Sequence, residues 1–487
     1  MCERAGAAKH RSGSSSTPHA RRQSRPLAAR VPGRAAQAAV HTVLSKPRHG
    51  WASTVGGAPQ LRGATELSKR LAAVGLFAII LLSGPVAVLN THVLVNSGGS
   101  FGALSWAGLL SSLSFSWRTV TLLSCFAVWQ ALLLICVPGR PFHGPVTAGG
   151  NKPKYFANGV QCYLATLCAF AFALQRGWTS AGELYSLLPN MIATMAVSSA
   201  VFCVGLYFKG IHAPSSNDSG SSGSFLVDYY WGTELHPRLL WGLIDIKVYT
   251  NCRFGMTSWA LLVITAVLAQ YQRHGVVADS MLVTASLMLF YITKFFAWER
   301  GYLSSMDIAV DRAGYMVCWG CCAWVPSIYT APVIFLVDHP RVLGPAVTAG
   351  LLLLGTAGVW VNYSADAQRL RVRCAEAGAR ALVWGRPVQV ITAPYVTATG
   401  ERKVSLLLCS GWWGVARHVH YVPELLAALC WTLPCGPNAL PYLYFWFLSI
   451  LLVHRTGRDD AKCLSKYGDS WVQYCRRVPY RMVPGIF

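Results

Sequence analysis

Residues 442–471 read YLYFWFLSILLVHRTGRDDAKCLSKYGDSW. An uncharged apolar run, 442–453, gives way at His454 to four cations, an Asp pair, a Cys and a Tyr. Charge that directly follows a membrane-competent segment sits at the water boundary, where a site that faces lipid can meet a polar cofactor. By themselves, Arg455, Arg458, Asp459, Lys462 and Lys466 also suit a solvated face beside a membrane, because juxtamembrane Lys and Arg are common.

The rest of the chain agrees with a membrane setting. It has 487 residues, of which 53% are hydrophobic and 13% charged, whereas soluble domains carry about 25% charged residues. The net charge is +23, and residues 1–70 hold 13 Lys/Arg against 2 Asp/Glu, so +11 of it lies in a tail without apolar periodicity. Nucleic acid is a poor partner, since the basic clusters adjoin apolar segments too long for soluble core helices. The sixteen Cys lie mostly inside apolar runs, as small hydrophobes do, with no spacing of a disulfide framework. The tail, 1–68, reads either as a disordered basic extension against anionic lipid or as an organelle transit segment.

A span needs roughly 20 apolar residues. The runs at 71–89, 117–137, 156–174, 187–208, 257–269, 281–296, 315–337 and 345–361 qualify or come close. A last pair, 422–433 and 440–453, is joined by Pro434-Cys435-Gly436-Pro437, a helical-hairpin turn. The fold class predicted is therefore all-α, a polytopic membrane protein of nine or ten helices. The run at 257–269 and both arms of the final pair are short enough to be half-buried or broken. Between 363 and 403 the chain is polar, and 391–404 reads as a short hairpin or surface excursion. Cations at Arg476, Arg477 and Arg481, added to those after His454, place the C-terminal segment on the cytosolic side.

The pattern H-R-x-x-R-D-x-x-x-C-x-x-K-Y-G, filled by His454, Arg455, Arg458, Asp459, Cys463, Lys466, Tyr467 and Gly468, resembles the C-terminal signature of the sterol reductase family. KFFAWERGYLSSMDIAVDRAGYMVCWGCCAWVPSIYT (294–330) and SGWWGVARHVHYVPELLAALCWTLP (410–434) look most like its plant-type delta-7 branch, the 7-dehydrocholesterol reductases. GTELHPR (232–238) and IDIKVYTNCRFG (244–255) are similar to the family's first signature. The resemblance covers about 140–487 and departs at two places: Val310 stands where members usually have His, and His236 where they have Asn. It implies a transmembrane reductase domain over 69–487, with a cofactor-binding part at about 363–487 that faces the cytosol and takes NADPH. It also implies a sterol substrate among membrane lipid, the endoplasmic reticulum as location, and other sterol-biosynthesis enzymes as partners. A plastid membrane is the alternative if the tail is a transit peptide.

Several residues carry chemistry of their own. Arg369 and Arg373 are four apart on one helical face, where two guanidiniums can grip phosphate. Trp413 lies in the glycine-bracketed GWWG (411–414), close to His420 and Tyr421, which suits stacking on a planar ring and equally suits an interfacial aromatic belt. Asp459, Cys463, Tyr467 and Tyr474 fall along one stripe of a helix. By the resemblance, Arg369, Arg373, Leu408, Trp413, His420, Tyr421, Asp459, Cys463, Lys466, Tyr467 and Tyr474 are expected to contact the cofactor. A G-x-G-x-x-G motif behind a strand is missing, so a Rossmann domain is not supported. Cys318, Cys321 and Cys322 imitate metal spacing without a second pair, and no metal is expected.

Ionisable groups at membrane depth are functional candidates. Tyr291, with a neighbouring carboxylate, is read as a proton donor and Asp459 as a cofactor-orienting or proton-relay residue. Glu299, Asp307 and Asp311 are read as facing the sterol. The reaction implied is reduction of the C7–C8 double bond of a 5,7-diene sterol by protonation and hydride transfer. Delta-14 or side-chain reduction, a receptor-like protein on the same scaffold, and an isoprenylcysteine-type methyltransferase stay open.

Overall fold

The computed structural model describes residues 66–374, 381–397 and 400–487, as a bundle of membrane-length helices with short antiparallel hairpins. The basic tail lies outside the described residues up to position 65, and the first helix, Glu66–Asn96, takes in its last three positions. Every apolar run singled out in the sequence falls on a helix, apart from the start of 156–174, which closes the strand Lys154–Ala157. Among the described residues, seven helical stretches are long and apolar enough to cross a bilayer: Arg70–Asn96, Trp117–Cys136, Ala181–His212, Val248–His274, Asp279–Ala297, Tyr315–Asp338 and Pro345–Arg373. Gly159–Gln175 and Tyr421–Cys435 are shorter apolar helices, and Leu443–Tyr467 is apolar in its first half.

The run at 257–269, expected to be short or broken, is instead the middle of a 27-residue stretch, Val248–His274. Hydrocarbon offers no hydrogen bonds, so the polar residues before it are wound into helix as well. Val248–Gly255 forms eight residues of π-helix ahead of the α-helix Met256–His274, with Thr250, Cys252 and Arg253 buried. A second π-helical stretch, Tyr315–Tyr329, carries Cys318, Cys321 and Cys322 and leads into Ala331–Asp338. Wider turns of this kind recur near functional sites.

The loops at one end of the bundle are tied to one another. Arg238 donates to the Lys154 carbonyl at 2.8 Å, Lys247 to the Asp311 carbonyl at 2.9 Å, and Arg417 to the Val478 carbonyl at 2.9 Å. Gly232, at φ 93°, and Gly314 allow two of these loops to meet backbone to backbone, since a Cβ on Gly314 would lie 2.2 Å from the Gly232 nitrogen. The loops at the opposite end, 97–116, 176–180, 275–278, 339–344 and 436–442, carry only Arg176 and Arg341 as Lys or Arg, whereas the described residues of 381–420 carry four. At the crowded end the strands Val390–Val396 and Arg402–Leu408 pair as an antiparallel hairpin, from Val390 opposite Leu408 to Val396 opposite Arg402.

Candidate functional site

At the cation-rich end a cleft opens between five pieces of chain. Its walls are the end of the helix Pro345–Cys374, the strand Arg402–Leu408, the short helix Trp412–Val415, and the helices Leu443–Tyr467 and Asp469–Arg477. Arg369, Arg373, Leu408, Trp413, Asp459, Cys463, Tyr467 and Tyr474 line it, together with Leu406, Leu407, Arg417 and Trp471. The local sequence explains the assembly. Arg369 and Arg373 are one turn apart, as are Asp459, Cys463 and Tyr467. Gly468, at φ 53°, ends the helix and turns the chain so that Asp469–Arg477 folds back and brings in Tyr474.

Trp413 is held firmly. Its indole N–H donates to the Ala365 carbonyl at 2.8 Å, its own carbonyl accepts from the Tyr474 hydroxyl at 3.3 Å, and the Arg369 guanidinium lies 4.3 Å from its ring. Asp366 holds Arg369 at 2.8 Å. Behind this wall, His420 sits 5.0 Å from Trp413 and 4.2 Å from Tyr421, ring centre to ring centre. Burial pushes the His420 imidazole down to about 3. His418 stacks on Tyr421 and lies 3.9 Å from Asp459; burial lowers its pKa, against the pull of Asp459 and Asp460. Lys466 reaches away to the hairpin, 4.0 Å from the Tyr395 ring. His420, Tyr421 and Lys466 therefore lie beside the cleft lining rather than in it.

Inside the bundle, the Tyr291 hydroxyl donates to Glu424 Oε1 at 2.6 Å. Trp259 and Trp431 pack around the phenol with ring centres 5.8 and 5.6 Å away. One turn along, Lys294 donates to Asn362 Oδ1 at 2.8 Å, and Asn362 donates to the His420 carbonyl at 3.0 Å. The helix that carries Arg369 thus also touches the tyrosine's surroundings. Tyr291 and Asp459 have different partners and do not bond to each other.

The three carboxylates read as sterol-facing are all engaged by cations. Glu299 accepts from Arg253 at 2.5 Å and from the Gly159 N–H at 2.9 Å, and Arg253 also donates to Asn158 at 2.6 Å. Asp307 pairs with Arg455, and Asp311 with Arg458. Arg455 and Arg458 therefore turn inward, and a solvated face is not what this stretch forms. Arg253 and Glu299 are 0% and 3% exposed, so Glu299→Ala would leave a buried cation alone, a loss of about 3–5 kcal/mol. The expected result is a clear drop in the thermal midpoint of the detergent-purified protein.

The description "Ergosterol biosynthesis ERG4/ERG24 family" matches residues 92–487. The chain belongs to this family. It is 44% identical to a 7-dehydrocholesterol reductase of Arabidopsis thaliana over 422 residues, which covers 85% of this chain and 97% of the relative. A Delta(14)-sterol reductase of Methylotuvimicrobium alcaliphilum is 34% identical, covering 76% of this chain and 84% of that one. A 7-dehydrocholesterol reductase of Xenopus laevis is 33% identical, covering 77% and 81%.

For this member of the ERG4/ERG24 family, one residue that sequence reasoning missed is Glu424. A signal existed: it is an acid inside the apolar run 422–433, the same criterion that singled out Tyr291's surroundings. Arg417 and Trp471 were missed as cleft residues, and neither has a periodicity that announces it. The donor set fits a phosphate-bearing planar cofactor. Three arginines, Arg369, Arg373 and Arg417, line the cleft, an aromatic plane stands beside them, and His418 Nε2, His420 Nδ1 and Arg417 Nε are buried polar atoms without a hydrogen-bond partner.

Proposed function

We propose that this protein is a 7-dehydrocholesterol reductase that uses NADPH to saturate the C7–C8 double bond of 5,7-diene sterols. The observation that carries the reading is the cleft that gathers Arg369, Arg373, Trp413 and Asp459 at the end of a bundle whose interior holds the Tyr291–Glu424 pair. The extensive likeness to the Arabidopsis reductase supports the choice of double bond. In this reading 69–487 is the reductase domain and 363–487 its cofactor-binding part. The cation-rich end faces the cytosol by the positive-inside rule, and the endoplasmic reticulum membrane is the location.

Arg369 and Arg373 would hold the phosphates of NADPH, while Trp413, Tyr467 and Tyr474 would flank its rings. When bound, the reduced nicotinamide supplies a hydride. The chain must supply the other half of the hydrogen and keep water away. A carbon–carbon double bond without an adjacent carbonyl is a poor hydride acceptor, so a proton has to come first. Protonation at C8 leaves a cation at C7 that the C5–C6 double bond can share, which is why this order is the favoured one. Tyr291 offers its phenolic proton at a site walled by Trp259 and Trp431. Glu424, accepting at 2.6 Å, orients the phenol, and a proton that Glu424 takes up from water after turnover is passed on to the phenolate. Asp459 orients the cofactor from the cleft wall with His418 behind it.

Expression in a yeast that accumulates 5,7-dienols tests the reading. The conjugated-diene ultraviolet absorbance of the extracted sterols should disappear, with 7,8-saturated sterols in its place. An unchanged dienol pool would refute it, and reduction of a 14,15 double bond alone would transfer the protein to the delta-14 branch.

A further inference from the structure

We infer that Asp307 and Asp311 are positioning residues for the cofactor-side helix, acting through Arg455 and Arg458 rather than on the sterol. The inference rests on the reading that the cleft takes NADPH. Arg455 and Arg458 are three apart on Leu443–Tyr467, the helix whose next residue, Asp459, lines the cleft. Asp307 grips the first and Asp311 the second. Two ion pairs on adjoining turns fix a helix in rotation and along its axis. They add to the buried stripe Tyr444, Leu448, Leu452 and Thr456 in fixing which way Asp459, Cys463 and Tyr467 point.

The holding segment is itself locked. Lys247 is fully buried and donates to the Asp311 carbonyl at 2.9 Å, to the Asp307 carbonyl at 3.3 Å, and to the Ile308 carbonyl. Arg312 donates to the Gly220 carbonyl at 2.6 Å, and the Arg458 guanidinium lies 4.7 Å from the Trp231 ring. Lys247 lies in 244–255 and Trp231 directly precedes 232–238, the two stretches similar to the first signature, so those stretches set the turn, the turn presents the two carboxylates, and the carboxylates aim the last signature. Asp311 is 0% exposed, so it has no surface left with which to meet a sterol. A buried charge satisfied by one partner is a means of specifying register.

The full-length protein in nanodiscs provides the test, with NADPH affinity, 7-dehydrocholesterol affinity and thermal midpoint measured on each variant. Asp311→Asn and Asp307→Asn should each weaken NADPH binding tenfold or more and leave sterol binding within twofold. Asp307→Arg should lose NADPH binding, and adding Arg455→Asp should restore much of it. Loss of sterol affinity with NADPH affinity intact would make these carboxylates substrate contacts and overturn the inference. So would a lowered thermal midpoint with both affinities unchanged, or no recovery in the exchanged pair. Asp307→Asn, at the more exposed of the two sites, keeps the test decisive if Asp311→Asn does not fold. Failure of the unaltered protein to bind NADPH would instead remove the functional reading, and this inference with it.

Discussion

Tyr291→Phe should lower the turnover of a 5,7-diene sterol by roughly a hundredfold or more, with NADPH affinity unchanged. The substitution removes one oxygen and leaves the ring in its pocket between Trp259 and Trp431. What is lost is the hydroxyl that donates to Glu424 at 2.6 Å. Glu424→Gln is the informative companion. It can still accept a hydrogen bond from the phenol but cannot return a proton, so a first turnover should survive better than steady-state turnover. Single-turnover and steady-state loss of diene absorbance separate the two. Near-normal turnover in Tyr291→Phe would show that the proton comes from elsewhere.

Arg373→Ala should raise the Kd for NADPH about 10- to 100-fold, with little change in kcat at saturating cofactor. The guanidinium lines the cleft and, among the described residues, has no hydrogen-bond or ion-pair partner, whereas Arg369 is committed to Asp366 and to the Trp413 face. A charge-assisted hydrogen bond is worth about 1.5–3 kcal/mol, which converts to that range. Arg373→Lys should recover part of the affinity, because it keeps the charge and loses the two-pronged geometry. The Arg369→Ala, Arg373→Ala pair should bind more weakly than either alone. Binding titrations at two salt concentrations check this, and an unchanged Kd in Arg373→Ala would remove the phosphate role.

The apolar runs placed every membrane helix, because hydrophobicity over roughly 20 residues is a local property. Their lengths were harder to read. Thr250, Asn251 and Arg253 look like a polar loop, yet they are wound into Val248–His274 because Glu299 and Asn158 meet the Arg253 charge. The hairpin at 391–404 was visible from its turn residues, although its strands extend to Val390 and Leu408. Most of the cleft residues came from a resemblance to known motifs, and helical spacing supports only Arg369 with Arg373 and Asp459 with Cys463 and Tyr467. Glu424 was the opposite case. It was recognisable as an acid in an apolar run, but its partner Tyr291 lies 133 residues earlier in the chain.

The stretch that opens the sequence reading divides in the same way. Its composition and spacing alone determined a helix that leaves the membrane with a charged stripe, and the direction of the positive end. Whether Arg455 and Arg458 faced water or protein was not in those residues. Asp307 and Asp311, 148 and 147 residues away, decide it. Helical periodicity and hydropathy follow from neighbours in the chain. The pairing of buried charges depends on which loops the packed bundle gathers at one end, and that exists only once the tertiary structure has formed.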